Sequence, residues 1–379
     1  MAEKRKLFEE VADARPRAPA TAPGAAEAEK RRARRGVMLW LAALFVLVAL
    51  MILVGGATRL TDSGLSITEW RPLTGALPPL SDADWQAEFD RYRQIPEAAL
   101  VNPEMTLEEF KTIYWWEWGH RQLGRLVGLV WAGGFLIFLL RRRIPPGWTG
   151  RLLLPGLLGG LQGAIGWWMV ASGLAGTMVD VASYRLAIHL GLAFAILGLL
   201  AWYVLRLRQD EVALIQARRR TVPAMRGWAG MLLALAFLQI LLGALVAGID
   251  AGRGYIDWPL MGGEFLPSES FRLAPLWRNF LENEALVQFN HRIAGYVLVI
   301  LGLLAALVAR RTALSGLRRT FTWAALALLL QAALGVVAVM QAAPPGLALL
   351  HQLGAILAFT LILRARFEAA FPAEERLRA

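Results

Sequence analysis

Eight uncharged, apolar runs decide what this chain can fold into. They cover residues 36–57, 126–140, 152–172, 186–205, 228–249, 293–309, 321–344 and 346–363. A helix needs ~20 apolar residues to cross the hydrocarbon core of a bilayer. Inside that layer every backbone N–H and C=O must be satisfied within the segment, so such runs are read as helices. The two short runs, 126–140 and 293–309, reach full length only if His120 and His291, which precede them, lie on the same helices. The fold class expected is therefore an all-α polytopic membrane protein with eight transmembrane helices. With 57% of 379 residues hydrophobic and only 29 acidic side chains, a soluble domain is excluded.

The charges fix an orientation rather than a nucleic-acid surface. With the N-terminus placed inside, the inner segments hold 28 of the 40 Lys and Arg residues and 11 of the 29 acids. The clusters "KRRARR", "RRR" after Leu140, "RLR", "ARRR" and "RAR" all fall on that side, as the positive-inside rule requires. Both termini are thus expected in the cytoplasm. Residues 1–35, rich in Ala, Pro and charge, read as a disordered tail, and residues 364–379 as a second tail. The acids among the first 35 residues argue against a mitochondrial transit peptide, and the first apolar run begins too late for a cleavable signal. A bacterial inner membrane is the expected location. There is no cysteine, so disulfides and thiolate ligation are excluded.

The chain is also written twice. "YRLAIHLGLAFAIL" opens the fourth run and "LALLHQLGAILAF" the eighth; "EWGHRQLGRLVGL" opens the second and "VQFNHRIAGYVLV" the sixth. The third and seventh share Gln-x-x-x-Gly-x-x-x-Val, at Gln162/Gly166/Val170 and Gln331/Gly335/Val339. "TEWRPLTG" follows the first run and "IDWPLMG" the fifth. Four correspondences in one order imply two tandem four-helix bundles, 36–205 and 228–363, joined by a basic linker at 206–227. An even number of helices in each makes them parallel repeats, related by a pseudo-two-fold axis along the membrane normal.

All four histidines of the chain, His120, His189, His291 and His351, lie near the start of an even-numbered span, at one depth in the outer leaflet. Intramembrane ionisable residues are functional candidates. Two imidazoles on different helices of each bundle can approach one haem iron from opposite sides. Zinc is disfavoured, because two histidines without cysteine leave its shell incomplete. Gly124 and Gly295, four residues after His120 and His291, leave room for a flat macrocycle. Arg121 and Arg292 either meet haem propionates or anchor the interface. The halves differ at one place: three residues before His120 stands Glu117, and three before His291 stands Gln288. At that spacing the side chains share a helix face, so one expected haem has a proton-accepting carboxylate nearby and the other a neutral amide. The outer loop 58–112 has the Gly and Pro content of an ordered lid, and Trp70, Trp85, Trp115, Trp116 and Trp118 suit an interfacial aromatic belt.

The stretches "GGATRLTDSGLSITEWRPLTGALPPL", "EFKTIYWWEWGHRQLGRLVG", "QFNHRIAGY" and "LLHQLGAILAF" closely resemble the haem A synthase family, over about residues 36–363. The resemblance implies oxidation of the haem O C8 methyl to a formyl group by successive hydroxylations, with water as the oxygen source, giving haem A for terminal oxidases. It implies that His291 and His351 hold a haem b cofactor. His120 and His189, with Arg121, would receive the substrate haem, and Glu117 would be the catalytic carboxylate. Members with an outer-loop cysteine pair exist; this chain has none, so thiol chemistry is not available to it. The expected partners are haem O, the lipid bilayer, a haem O synthase (farnesyltransferase), an electron acceptor and a second copy of the chain in a homo-oligomer; nucleic acid is not among them. Two other readings compete: a two-haem transmembrane electron-transfer cytochrome b, disfavoured by the common depth of the histidines, and a proton-coupled transporter, which leaves Glu117 unexplained.

Overall fold

The structure, a computed structural model, describes residues 23–373. Eight helices in it are long and apolar enough to cross a membrane. We label them α1 (Pro23–Leu60), α2 (Leu107–Leu140), α3 (Thr149–Val170), α4 (Ser183–Leu207), α5 (Pro223–Gly248), α6 (Glu284–Arg310), α7 (Ser315–Met340) and α8 (Pro345–Ala370). His120 and His291 lie within α2 and α6, as their short apolar runs required. The chain is accordingly an all-helical, multi-pass membrane protein.

Local signals explain the helix ends. Thr106 and Glu109 form a reciprocal capping box that starts α2 well before its apolar stretch, and Asn283 caps α6. One tail expectation is corrected: α1 is already helical from Pro23, so residues 23–35, expected to be disordered, extend the first span as a basic helix. Ala, Glu, Lys and Arg, which fill that stretch, are strong helix formers once an apolar span has nucleated the helix. The rest of that tail, residues 1–22, and the end of the second, residues 374–379, lie outside the described residues. α8 runs to Ala370, inside the segment expected to be tail. The linker holds a short helix, Glu211–Arg218.

In the N-terminal half α1 packs on α2 and α4, and α3 packs on the same two helices. In the C-terminal half α5 packs on α6 and α8, and α7 packs on the same two. The halves meet where α4 touches α5 and α8, and where α8 touches α1. One apolar core runs through that seam; in it Phe194 and Phe359 meet edge to face at 5.5 Å. Polar ties close one end of the seam. Arg59 of α1 donates to Asp250, just after α5, at 2.9 Å, and Ser183 of α4 donates to the Leu281 carbonyl at 2.8 Å. Away from the seam α2 and α3 expose Leu129, Leu140 and Leu157, and α6 and α7 expose Ile300, Leu307 and Trp323. In water that surface would drive aggregation; against lipid it is the expected outer face.

The long loop between α1 and α2 is ordered. It contains the helices Asp82–Tyr92 and Pro96–Leu100 and a small core of its own, in which Leu65, Ile67, Phe89, Tyr92 and Ile95 pack on Phe110 and Tyr114 of α2.

Candidate functional site

His189, His291 and His351 lie near the N-terminal ends of α4, α6 and α8, and His120 further along the longer α2; each meets a glycine near the C-terminal end of the odd-numbered helix before it. A Cβ added at Gly55, Gly166, Gly243 or Gly335 would stand 2.8, 2.8, 3.0 and 2.9 Å from Cε1 of His120, His189, His291 and His351, in that order. Carbon atoms do not approach so closely, so only glycine lets the Cε1 edge of each imidazole come this near the neighbouring backbone. The four glycine contacts are alike in both halves. Sequence reasoning missed these glycines as a set. Gly124 and Gly295, which it favoured, face neighbouring side chains instead: a Cβ there would stand 3.3 Å from Met51 Cε and 3.1 Å from Gln239 Nε2.

Three of the cradles include a glutamine, one helical turn before the glycine. Gln162, Gln239 and Gln331 each donate to the backbone carbonyl of His189, His291 and His351 at 2.9 Å. The same amide nitrogens lie 3.1–3.3 Å from both ring nitrogens. The in-plane lone pairs of an imidazole diverge, so a nitrogen equidistant from both sits over the ring face and fixes its tilt. Oε1 of all three glutamines is buried without a donor.

His291 and His351 face each other with ring centroids 6.4 Å apart and planes at 75°. A metal held at about 2 Å by a nitrogen of each ring would separate the centroids by roughly this distance. His120 and His189 lie within electrostatic reach of one another. Among the described residues no group of three or more His, Cys, Asp or Glu side chains could enclose a metal ion. Imidazoles supplied in pairs, with glycine cradles and orphaned amide acceptors, fit an iron whose remaining ligands come from a macrocycle.

Glu117 is buried at 3% exposure. Its Oε2 accepts from the Ser66 hydroxyl and the Ile67 N–H, both at 2.7 Å, and its Oε1 accepts from Arg121 Nε at 3.1 Å and Nη2 at 2.7 Å. Arg121 also donates to the carbonyls of Ile67 and Glu69, at 2.8 and 3.0 Å. Four of its five N–H groups are therefore engaged. One turn on, Arg125 donates to the carbonyls of Arg71 and Pro72. The motif "TEWRPLTG" is thus strapped over α2 by two arginines, and Trp70 within it stacks on Trp167 of α3 at 6.0 Å.

The second half repeats the strap with altered chemistry. Arg292 donates to the carbonyls of Tyr255, Asp257 and Leu260, at 2.8, 3.0 and 3.0 Å. Gln288 accepts from Arg292 at 3.3 Å and gives its own N–H to the Tyr255 carbonyl at 3.1 Å. Where the first strap offers donors to a carboxylate, the second offers an acceptor to an amide. Each loop matches the residue beneath it.

A further acid escaped the sequence reading. Glu97, in the lid helix Pro96–Leu100, is 5% exposed and its Oε2 has no partner. Burial, reinforced by Asp180, Asp62 and Glu117, pushes its carboxyl up to about 8.

The family described as cytochrome oxidase assembly protein matches residues 38–363. A protein of Dinoroseobacter shibae is 60% identical over 379 residues, 100% of this chain and 99% of its own length. One from Ruegeria pomeroyi is 59% identical over 380 residues, covering 100% of both chains, and one from Paracoccus denitrificans is 59% identical over 377 residues, 99% of this chain and 98% of its own. All three bear the name "Heme A synthase".

Proposed function

The chain belongs to the cytochrome oxidase assembly protein family and acts as a haem A synthase, and we propose that its two histidine pairs divide the work. His291 and His351 hold a resident haem b, which when bound supplies one-electron redox chemistry. His120 and His189 receive the substrate, haem O. The observation that carries this division is the asymmetry between two otherwise matching straps: a buried carboxylate, Glu117, in the first and Gln288 in the second.

The enzyme is in this reading an oxidoreductase. Two successive hydroxylations of the C8 methyl, each taking its oxygen from water, give a geminal diol, which loses one water to leave the formyl group. The net change consumes one water and releases four protons and four electrons, the electrons passing to an external acceptor. Glu117 is the catalytic carboxylate and takes up protons from the attacking water. Ser66, Ile67 and Arg121 fix both of its oxygens, so it needs no rearrangement to face the substrate. Arg121 keeps one Nη1 proton for a substrate propionate. The lid between α1 and α2, residues 61–106, excludes bulk water over this half. The two halves form parallel repeats in a bacterial inner membrane, with both termini cytoplasmic. A haem O synthase hands over the substrate, and the enzyme assembles as a homo-oligomer. A transmembrane cytochrome b is the weaker reading, because all four cradles lie at one end of the helices rather than stacked across the bilayer.

Alanine substitutions test the division. His291→Ala and His351→Ala should strip haem b or turn it high-spin. His120→Ala and His189→Ala should keep haem b and abolish haem A. An unchanged low-spin spectrum in both C-terminal variants would overturn the assignment.

A further inference from the structure

Three of the four cradles have the form Gln-x-x-x-Gly: Gln162/Gly166, Gln239/Gly243 and Gln331/Gly335. The fourth, beneath His120, is Met51/Gly55. Gly55 meets His120 Cε1 as the other glycines meet their histidines, and Met51 Cε lies against Gly124 as Gln239 Nε2 lies against Gly295. Position 51 is therefore the structural counterpart of position 239, with a thioether in place of an amide. The consequence is visible in the hydrogen bonding. His120 Nδ1 is buried without a partner, and it is the only histidine ring nitrogen among the described residues in that state.

A metal-bound imidazole usually donates its other ring N–H to a nearby acceptor, which fixes the ring and strengthens it as a ligand; losing that partner typically costs 10–100-fold in metal affinity. In the other three cradles the amide Nε2 of Gln162, Gln239 or Gln331 lies at the ring nitrogens, and turning that amide over would present its orphaned Oε1 to a ring N–H as an acceptor. A thioether is at best a weak acceptor and cannot donate. We propose that Met51 makes His120 the weakest of the four axial ligands, so that the haem of the N-terminal half exchanges while that of the C-terminal half stays. This rests on the division of labour above and adds a reason for it: a substrate site has to release its product, and a cofactor site must not. Met51 and the three glutamines are positioning residues, acting through the histidines.

The test uses the full-length enzyme, purified with both haems, and follows haem transfer to excess apomyoglobin. The two haems are told apart by chromatography after extraction. Met51→Gln should slow release of the N-terminal haem about tenfold or more and lower its reduction potential, since a better-supported imidazole favours ferric iron. Met51→Leu, which restores no amide, should leave both properties as in the parent. Gln239→Met should do the opposite in the other half, making haem b transferable about tenfold faster with a raised potential. Unaltered transfer and potential in Met51→Gln, or haem b held as firmly in Gln239→Met as in the parent, would overturn the proposal. A parent enzyme lacking haem at His291 and His351 would instead refute the division of labour itself, so the two failures are distinguishable.

Discussion

Replacing Glu117 by glutamine changes one atom, and the structure says what that change costs. The carboxylate receives four donor groups: the Ser66 hydroxyl, the Ile67 N–H and two N–H groups of Arg121. An amide has one oxygen. If its NH2 faces Arg121, two donors oppose each other and a largely buried ion pair is broken, at about 3–5 kcal/mol. If its oxygen faces Arg121, Ser66 can rotate to accept, but the Ile67 N–H is left unmade, at about 1–3 kcal/mol. The second arrangement wins, and it copies Gln288 beneath Arg292. We therefore expect Glu117→Gln to fold, to lose about 1–3 kcal/mol in thermal unfolding, and to keep haem b. Haem A should fall by ~100-fold or more, the scale of a lost general acid–base group, while haem O or its hydroxymethyl product accumulates. Gln288→Glu should gain no second active site, because its new oxygen would stand against the Tyr255 carbonyl. Pigment extraction with chromatography gives the readout, and near-normal haem A from Glu117→Gln would refute the catalytic role.

Glu97 gives a pH signature: its folded pKa, about 8 against 4.5 for a free side chain, is raised, so stability is lost as pH climbs from 4.5 towards 8. Glu97→Gln should stabilise the protein by about 3 kcal/mol at pH 7 and flatten the unfolding temperature between pH 5 and 8; equal slopes in variant and parent would contradict the assignment. Gly335→Val should push His351 out of its cradle, costing about 1–3 kcal/mol and the low-spin haem b band; a normal band would show that the cradle has room to spare. Because the chain has no cysteine, single cysteines at the exposed Asp82 and Leu276 can report sidedness directly. They should react with an impermeant thiol reagent on intact spheroplasts, and labelling only after lysis would reverse the orientation.

Spans and histidines were legible in the sequence because hydropathy and an internal repeat both report on long, regular stretches. The early start of α2 was missed: the loop was expected to run to 112, although the Thr106–Glu109 capping box starts the helix at Leu107. Less was visible where one half departs from the repeat or the backbone does the work. Gln-x-x-x-Gly was noticed on α3 and α7 only as a mark of duplication; with Gln239/Gly243 included, it would have pointed to the cradles and to Met51 as the exception. Glu117 was singled out from the difference with Gln288. Its partners were hidden, since a backbone N–H at Ile67 has no residue-type signature. For the same reason Arg121 and Arg292 read as propionate ligands or anchors, although Arg121 divides its engaged donors between Glu117 and loop carbonyls and Arg292 gives three bonds to loop carbonyls. Position 97 could not be found from its letter either, because its burial depends on how the lid folds over α2.

The central claim is that one haem is resident and one is substrate, held by separate histidine pairs. Its most direct test is pigment analysis of the enzyme purified from cells that also express a haem O synthase, in the parent and in the His120→Ala/His189→Ala double variant. The account predicts haem b together with haem O or haem A in the parent, and haem b alone, still low-spin, in the variant. Haem O or haem A retained by the variant, or haem b lost from it, would contradict the account.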